Sequence, residues 1–460
     1  MKTSRLFDVF ALLFCLYFIL AGSIVSVNRF WQYDVFYYDF GIFDRAIWQV
    51  AHLQKPIIDH LVVSGKWIFA DHFSPGIFLF SPLYWLTDKS EMLLIAQAVV
   101  VGISGFFLYD LGKIVLKNKF FAASVLFSYY LFIGLQNAVI SDFHETTIMT
   151  LPFVLVFWAA AKKKKLCTFL FFILMLSFKE SAFLIGMGVA IAIFFLQKKW
   201  QKFAFILFVT SLLWGFLTIQ VIIPYFSGDG YHYSEPILAR KDYLATFLFD
   251  NTLKRNTLFY SFASFGFLPF FAPQFWLLIF QDFFSRFFAQ WSTRWTLGLH
   301  YSAILASING VAAIYALTLL QNIMANRMLK FYCIFLIIIS IILYRFVLHG
   351  PFALFYNTAF YAHTKDFLFL DLLIKKIPKN VSIMTQNNLA GHFTHQQVFL
   401  LRGDPFFYKP DFILIDLRQG QNPNNFFGVI YPKETVEKIK KHPQYMVIYQ
   451  SKDQYIFKRR

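Results

Sequence analysis

Five side chains able to move protons or hold charge fall within Tyr37–Gln49, YYDFGIFDRAIWQ, and Asp71–Pro75, DHFSP: Asp39, Asp44, Arg45, Asp71 and His72. A carboxylate can take the proton from an attacking hydroxyl, and Arg, Lys or His can hold a phosphate. Both stretches lie between strongly apolar segments, which puts them at a membrane surface. The same mixture recurs further on: Asp142, His144 and Glu145 in SDFHETT, Lys179 and Glu180 in SFKESA, Arg240 in the polar loop 227–243, and Arg294, His300 and Tyr301 in QWSTRWTLGLHY. Ionisable groups near hydrocarbon depth are costly and point to function by default. Bland alternatives stand beside each. Asp39 just before a helical pattern is a favoured cap, Asp-x-His-Glu at a helix start can supply caps and ion pairs, and Lys179 can simply pair with Glu180. A divalent ion held by Asp39, His72, Asp142, His144 and Glu145 is a further alternative, although these residues form no recognisable ligand motif.

The elements that must position these groups are written in the composition. Of 460 residues, 58% are hydrophobic and only 15% charged, with a mean hydropathy of +0.55, far from a soluble protein of this length. Repeated apolar runs of spanning length define a polytopic α-helical membrane protein. The net charge of +17 does not indicate nucleic acid, because Lys and Arg collect in short clusters between apolar runs, as on a cytoplasmic face. Cys15, Cys167 and Cys333 all lie in apolar segments without paired spacing, so neither a disulfide framework nor a zinc site is indicated.

Taken in order, a first span follows Lys2 and Arg5, which places the N-terminus in the cytoplasm and the loop 28–89 outside. Within that loop Ile42, Phe43, Ala46, Ile47 and Val50 recur at helical spacing, with Asp44, Arg45 and Gln49 on another side, the pattern of an amphipathic interfacial helix. Four consecutive lysines, Lys162–Lys165, are the strongest inside signal, and Lys198, Lys199 and Lys202 the next. The thirty-odd residues between them must rise and return as two helices, each short of the ~20 residues of a full span, with Lys179 and Glu180 at the outer turn. The run 258–288 is broken by Pro269 and Pro273 and is divided into a second short pair turning near Phe270, one continuous kinked helix being the alternative. That division gives about eleven crossings and a membrane domain over 1–348. After about Thr364 the composition changes to a small extracytoplasmic α/β domain, 364–460. Its expected elements are a helix over 366–377, strands at 381–386 and 411–417, a helix at 433–441 and a closing strand pair at 445–450 and 454–458.

A set of motifs in fixed order carries a family resemblance: YYDFGIFDRAIW, then DHFSP followed by FLFSPLYWL, then SDFHETT, SFKESA, FGFLPFFAP and LHYSA. Over about residues 30–320 the chain resembles the polytopic membrane family of unknown function numbered twenty-seventy-nine. Its usual Lys-Glu-Asp pattern stands here as Lys179, Glu180, Ser181, so no carboxylate role carries over to position 181. That family in turn resembles the GT-C membrane glycosyltransferases. The resemblance implies transfer of a sugar from a polyprenyl-phosphate-type donor to an acceptor hydroxyl on the outer face. Asp39 is then the first choice of base and Asp44 the second. Lys179, His300, Arg240 and Arg294 are the groups for the donor phosphate, with His72, Asp142, His144, Glu145, Glu180 and Tyr301 in support. The partners implied are a lipid-linked sugar and membrane lipid. Two other classes fit the broken helices and the external domain: a lipid or solute transporter or flippase, and a membrane scaffold with an external binding domain.

Overall fold

The computed structural model describes residues 2–58, 65–233, 249–289, 291–426, 428–429 and 431–460. The chain folds as two compact units: one formed by Met1–Val25, His72–Gly76 and Ile95–Tyr356, the other by Ser26–Asp71, Ile77–Leu94 and Asn357–Arg460.

The first unit is helical. At least five helices of the chain are long and apolar enough to cross a bilayer: Arg5–Trp31, Glu91–Leu116, Lys198–Ser227, Ser292–Gln321 and Asn326–Val347. The pair Lys119–Leu131 and Ile133–Ile140, bent by 50°, is apolar enough to make a sixth if the two count as one broken span. The break falls at Phe132, which is extended (φ −67°, ψ 116°) and has its side chain fully buried. The pair expected between the lysine clusters is present as Lys165–Leu176 and Ala182–Leu196. At 1.5 Å per residue these helices reach only about 18 and 22 Å, against a hydrocarbon core of about 30 Å. Their connection carries Lys179 and Glu180, and both backbones stay bonded to the preceding and following turns, with Lys179 N donating to Leu176 O and Ala182 N to Lys179 O. The proline-broken run is likewise two helices, Thr252–Ala263 and Trp276–Phe287. Gly266 and Phe267 turn the chain between them at φ +56° and +61°, and Pro269 and Pro273 open two short 3-10 turns.

In the second unit a π-helical turn, Tyr37–Gly41, leads into helix Ile42–Ala51. Ile42, Phe43, Ala46 and Ile47 are buried as the spacing requires, and Val50 is partly so. Asp44, Arg45 and Gln49 are buried as well, at 0%, 7% and 6% exposure, so the helix has no open polar side and is not a surface-lying amphipathic element. Short strands β1 (Ile57–Ile58) and β2 (Lys66–Trp67) pair beside it. The C-terminal part forms a five-stranded sheet from β3 (Ile383–Thr385), β4 (Val398–Leu400), β5 (Phe412–Asp416), β6 (Tyr445–Ser451) and β7 (Gln454–Arg459), in the order β4-β3-β5-β7-β6. β3 runs parallel to β4 and β5, and the last three strands are antiparallel. Every residue of β3, β4 and β5 is buried, as continuous apolar runs in a parallel sheet must be. Helix Pro432–Lys441 packs Val436 and Ile439 into the sheet's core with Met384, Ile413, Ile415 and Phe457. Burying those two side chains contributes roughly 4 kcal/mol. Strand β4 was not expected from the sequence, and the helix anticipated over 366–377 is shorter, Leu368–Ile374, and is preceded by a separate helix, Thr358–Lys365.

Candidate functional site

In the first unit the short-helix turn is where the charges gather. Lys179 does not pair with Glu180. Its Nζ lies 2.6 Å from Glu145 Oε1, and the fully buried Glu180 accepts from His72 Nδ1 at 3.0 Å, from the Tyr231 hydroxyl at 3.0 Å and from the Phe73 backbone N–H at 3.2 Å. DHFSP reaches Glu180 because Gly76 N donates to Ser177 O at 2.9 Å. A Cβ at Gly76 would lie 2.6 Å from Ser177 Oγ, so only glycine lets the two segments come so close. Burial alone would raise the Glu180 carboxyl. His72 and Lys179 outweigh it and hold the group down at about 2, ionised throughout the physiological range. For Lys179 burial works against the charge, and Glu145 and Glu180 reverse it, so its pKa is raised.

The SDFHETT loop meets this turn through Glu145. Gln97, a lone amide in an apolar span, shapes the loop: its Nε2 donates to Asp142 O at 2.7 Å and its Oε1 accepts from His144 N–H at 2.9 Å. Asp142 sits at φ +45°, a left-handed conformation that Asp tolerates better than most residues and that a functional loop can sustain. The His144 ring stacks on His300 with centroids 3.4 Å apart, and the Tyr301 ring lies tilted against His300 at 4.0 Å. His300 also lies within the fields of Lys179, Arg294 and Arg286, which makes these residues one cluster.

Arg294 completes it. Its guanidinium rests 5.7 Å from the centre of the Tyr301 ring, and among the described residues its buried Nε has no acceptor. Among the described residues its side chain makes no ion pair. The loop that presents it is fastened at several backbone carbonyls: Arg286 donates to Arg294 O at 3.0 Å and Thr296 O at 2.6 Å, Thr257 to Trp295 O at 2.6 Å, and Asn137 to Leu297 O at 2.8 Å. Arg286 is itself paired with Asp282 at 3.3 Å. The orphaned guanidinium nitrogen is the kind of donor that accepts a phosphate oxygen. Arg240, grouped with it on sequence grounds, lies outside the described residues.

Of the five residues grouped for a divalent ion, Glu145 is bonded to Lys179 and His72 to Glu180, while Asp142 and His144 are an oxygen and a nitrogen donor of this unit outside those two pairs.

The two carboxylates of the opening stretch belong to the second unit, and their surroundings differ. Asp39 lies in the π-helical turn and is half-buried. It is not a helix cap: the cap position of Ile42–Ala51 is Gly41, with no side-chain cap bond. Among the described residues Asp39 has no hydrogen bond or ion pair within its unit. Asp44 is saturated. It accepts from the Tyr84 and Thr394 hydroxyls and from His395 Nε2 at 3.2 Å. Burial would raise its pKa, but His395 and the hydroxyl donors prevail and it is lowered. Beside it Arg45 donates to Gln396 O at 2.5 Å and Ile57 O at 3.2 Å. Asp44 and Arg45 therefore clasp the segment 394–396 between them.

Gln97, Tyr231, Arg286 and the Asp44 partners were not singled out from sequence. A signal existed for two of them: Gln97 is a solitary amide inside an apolar span, and Asp282 and Arg286 stand at i, i+4 in another.

An apolar multi-helical body with an ionised cluster at a broken-helix turn defines an integral membrane protein. The chain belongs to the family described as Predicted membrane protein (DUF2079), whose model matches residues 29–443. Comparison with curated proteins gives no match. Among solved structures it is similar to ArnT from Cupriavidus metallidurans bound to undecaprenyl phosphate, with a TM-score of 0.52 at 10% identity, covering 96% of this chain and 97% of that one. At that identity the likeness is one of fold.

Proposed function

We propose that the protein is a membrane glycosyltransferase that moves a sugar from a polyprenyl-phosphate-type donor to an acceptor hydroxyl. The observation that carries this is Arg294, a guanidinium with a buried, acceptor-less Nε in a cluster that also holds Lys179, His144 and His300. The fold shared with ArnT, a GT-C enzyme whose structure contains undecaprenyl phosphate, supports the same reading.

In this scheme the acceptor oxygen attacks the anomeric carbon, its proton passes to Asp39, and the bond from that carbon to the phosphate oxygen breaks. The lipid phosphate departs with the electron pair and an added negative charge, which Arg294 and Lys179 stabilise. A phosphate is a good leaving group once its charge is met, so no separate acid is needed. The resemblance gives Asp39 the base role, and among the described residues of its unit Asp39 has no hydrogen bond, whereas Asp44 accepts from three donors.

The test uses the purified full chain in nanodiscs with undecaprenyl phosphate as probe, bound lipid being counted by native mass spectrometry. Wild-type protein retains the lipid, Arg294→Gln loses at least about tenfold in affinity, as expected for one charge-assisted bond, and Asp39→Asn retains it. Envelope glycolipids from cells carrying Asp39→Asn lack a product that wild-type cells make. Equal retention by Arg294→Gln, or unchanged glycolipids with Asp39→Asn at normal protein level, overturns the proposal.

A further inference from the structure

Two turns of the first unit carry seven lysines. Lys162, Lys163, Lys164 and Lys165 lie between helices Thr150–Ala161 and Lys165–Leu176 or at the start of the latter, and Lys198, Lys199 and Lys202 lie between Ala182–Leu196 and Gln201–Phe216 or just inside the latter. All seven are exposed. Lys162 alone has a carboxylate, Asp110 at 3.5 Å, and that group is already engaged by Lys113 at 2.9 Å. Lys164, Lys198, Lys199 and Lys202 make no ion pair among the described residues.

The turns are also tied together. Lys163 Nζ donates to Gln197 Oε1, and Gln197 Nε2 reaches back to Ala160 O at 3.4 Å. Orientation in a membrane requires basic turns; it does not require that two of them be joined. Joining them concentrates like charge, which is unfavourable unless an anion occupies the space. The surroundings say which anion. The helices leaving the turns expose Leu166, Leu170, Phe194 and Phe195, so hydrocarbon lies on one side of the lysines and water on the other. Trp158 and Trp200 lie beside the lysines, with Lys162 Nζ 4.0 Å and Lys165 Nζ 5.6 Å from their ring centres. Lysines between an apolar helix face and water suit the phosphates of phospholipid.

We propose that this double turn binds the phosphate headgroups of anionic phospholipid, the joined lysines gripping the phosphates while the exposed helix faces take the acyl chains. The site is independent of the Arg294 cluster and of the proposed transfer reaction.

The experiment places the purified full chain in nanodiscs containing phosphatidylglycerol and phosphatidylcholine and measures the ratio of the two lipids retained, by native mass spectrometry after mild delipidation. Wild-type protein enriches phosphatidylglycerol several-fold, less so at high salt. The combined variant Lys162→Gln, Lys163→Gln, Lys164→Gln, Lys165→Gln brings the ratio close to that of the disc. The milder pair Lys164→Gln, Lys199→Gln, which breaks no bond named above, lowers it partway and guards against misfolding. A control of equal charge loss, Lys433→Gln, Lys438→Gln, Lys441→Gln, Lys452→Gln, leaves it unchanged. No enrichment by wild type, enrichment intact in both turn variants, or equal loss in the control overturns the proposal. Displacement of the lipid by millimolar inorganic phosphate would assign the turns to free phosphate instead and overturn it too.

Discussion

Glu180 shows how much a single buried charge can depend on its neighbours. It has no exposed surface and three donors, His72, the Phe73 amide and the Tyr231 hydroxyl, and His72 and Lys179 outweigh the loss of water and keep it ionised. Its folded pKa, about 2, lies below the ordinary 4.5 of an unpaired glutamate. A depressed carboxyl pKa contributes stability that is fully present above the unfolded value and is lost as pH falls toward the folded one. The window is therefore from about 4.5 down to about 2, and the contribution is at most roughly 3 kcal/mol. Thermal unfolding of the detergent-purified protein should show a falling Tm through this window. Glu180→Gln should have a lower Tm at neutral pH and a flatter acid limb. An acid limb as steep as that of wild type would mean that Glu180 is not the group that titrates.

At the scale of elements, the loop Trp291–Leu299 presents Arg294 but has little regular structure beyond one 3-10 turn, Ser292–Trp295. Its shape comes from outside, chiefly from Arg286, whose planar guanidinium donates to two carbonyls of the loop and to Asp282. Lysine keeps the charge but not the fork. Arg286→Lys should leave the protein folded, raise amide exchange across 291–299 and weaken undecaprenyl phosphate binding by about tenfold, the size of one lost bond. Unchanged exchange across the loop would remove Arg286 as a positioning residue. Elements of this kind were only partly legible. The short helix pair could be read because lysines bracket it, and the Pro-broken run because Pro269 and Pro273 cannot both sit inside one regular helix. The cluster around Lys179 was named, but its pairing was not: nothing in SFKESA says that Lys179 reaches Glu145 and Glu180 reaches His72, since those bonds depend on how three distant segments pack. Asp44 and Arg45 were assigned to an open face because periodicity reports polarity and not burial, and a buried carboxylate with three donors has the same spacing as an exposed one. Strand β4 escaped because Val398–Leu400 is a three-residue run with no turn signal before it, and parallel pairing with β3 is what makes it a strand.

At the scale of the molecule, the fold is shared with ArnT over nearly the whole of both chains at 10% identity, so what is common is the arrangement of apolar helices and not a set of side chains. The arrangement constrains topology more firmly than hydropathy alone. Helix Lys198–Ser227 has 30 residues, and only 28% of its most apolar window is buried. At about 45 Å it exceeds the ~30 Å hydrocarbon core, long enough for its two ends to meet opposite surfaces of the membrane. Its first end joins the lysine-rich double turn and its last end leads to Gly228, Asp229 and the Tyr231 hydroxyl that bonds Glu180. The positive-inside rule then predicts the lysines in the cytoplasm and the Glu180 turn outside. Single-cysteine labelling decides it, with Cys15, Cys167 and Cys333 first replaced by serine. A membrane-impermeant maleimide should label Asp229→Cys in intact cells and Lys164→Cys only after permeabilisation. The reverse pattern would invert the protein and move the ionised cluster, with any chemistry it performs, to the cytoplasmic side; labelling of both positions from outside would mean that Lys198–Ser227 does not span.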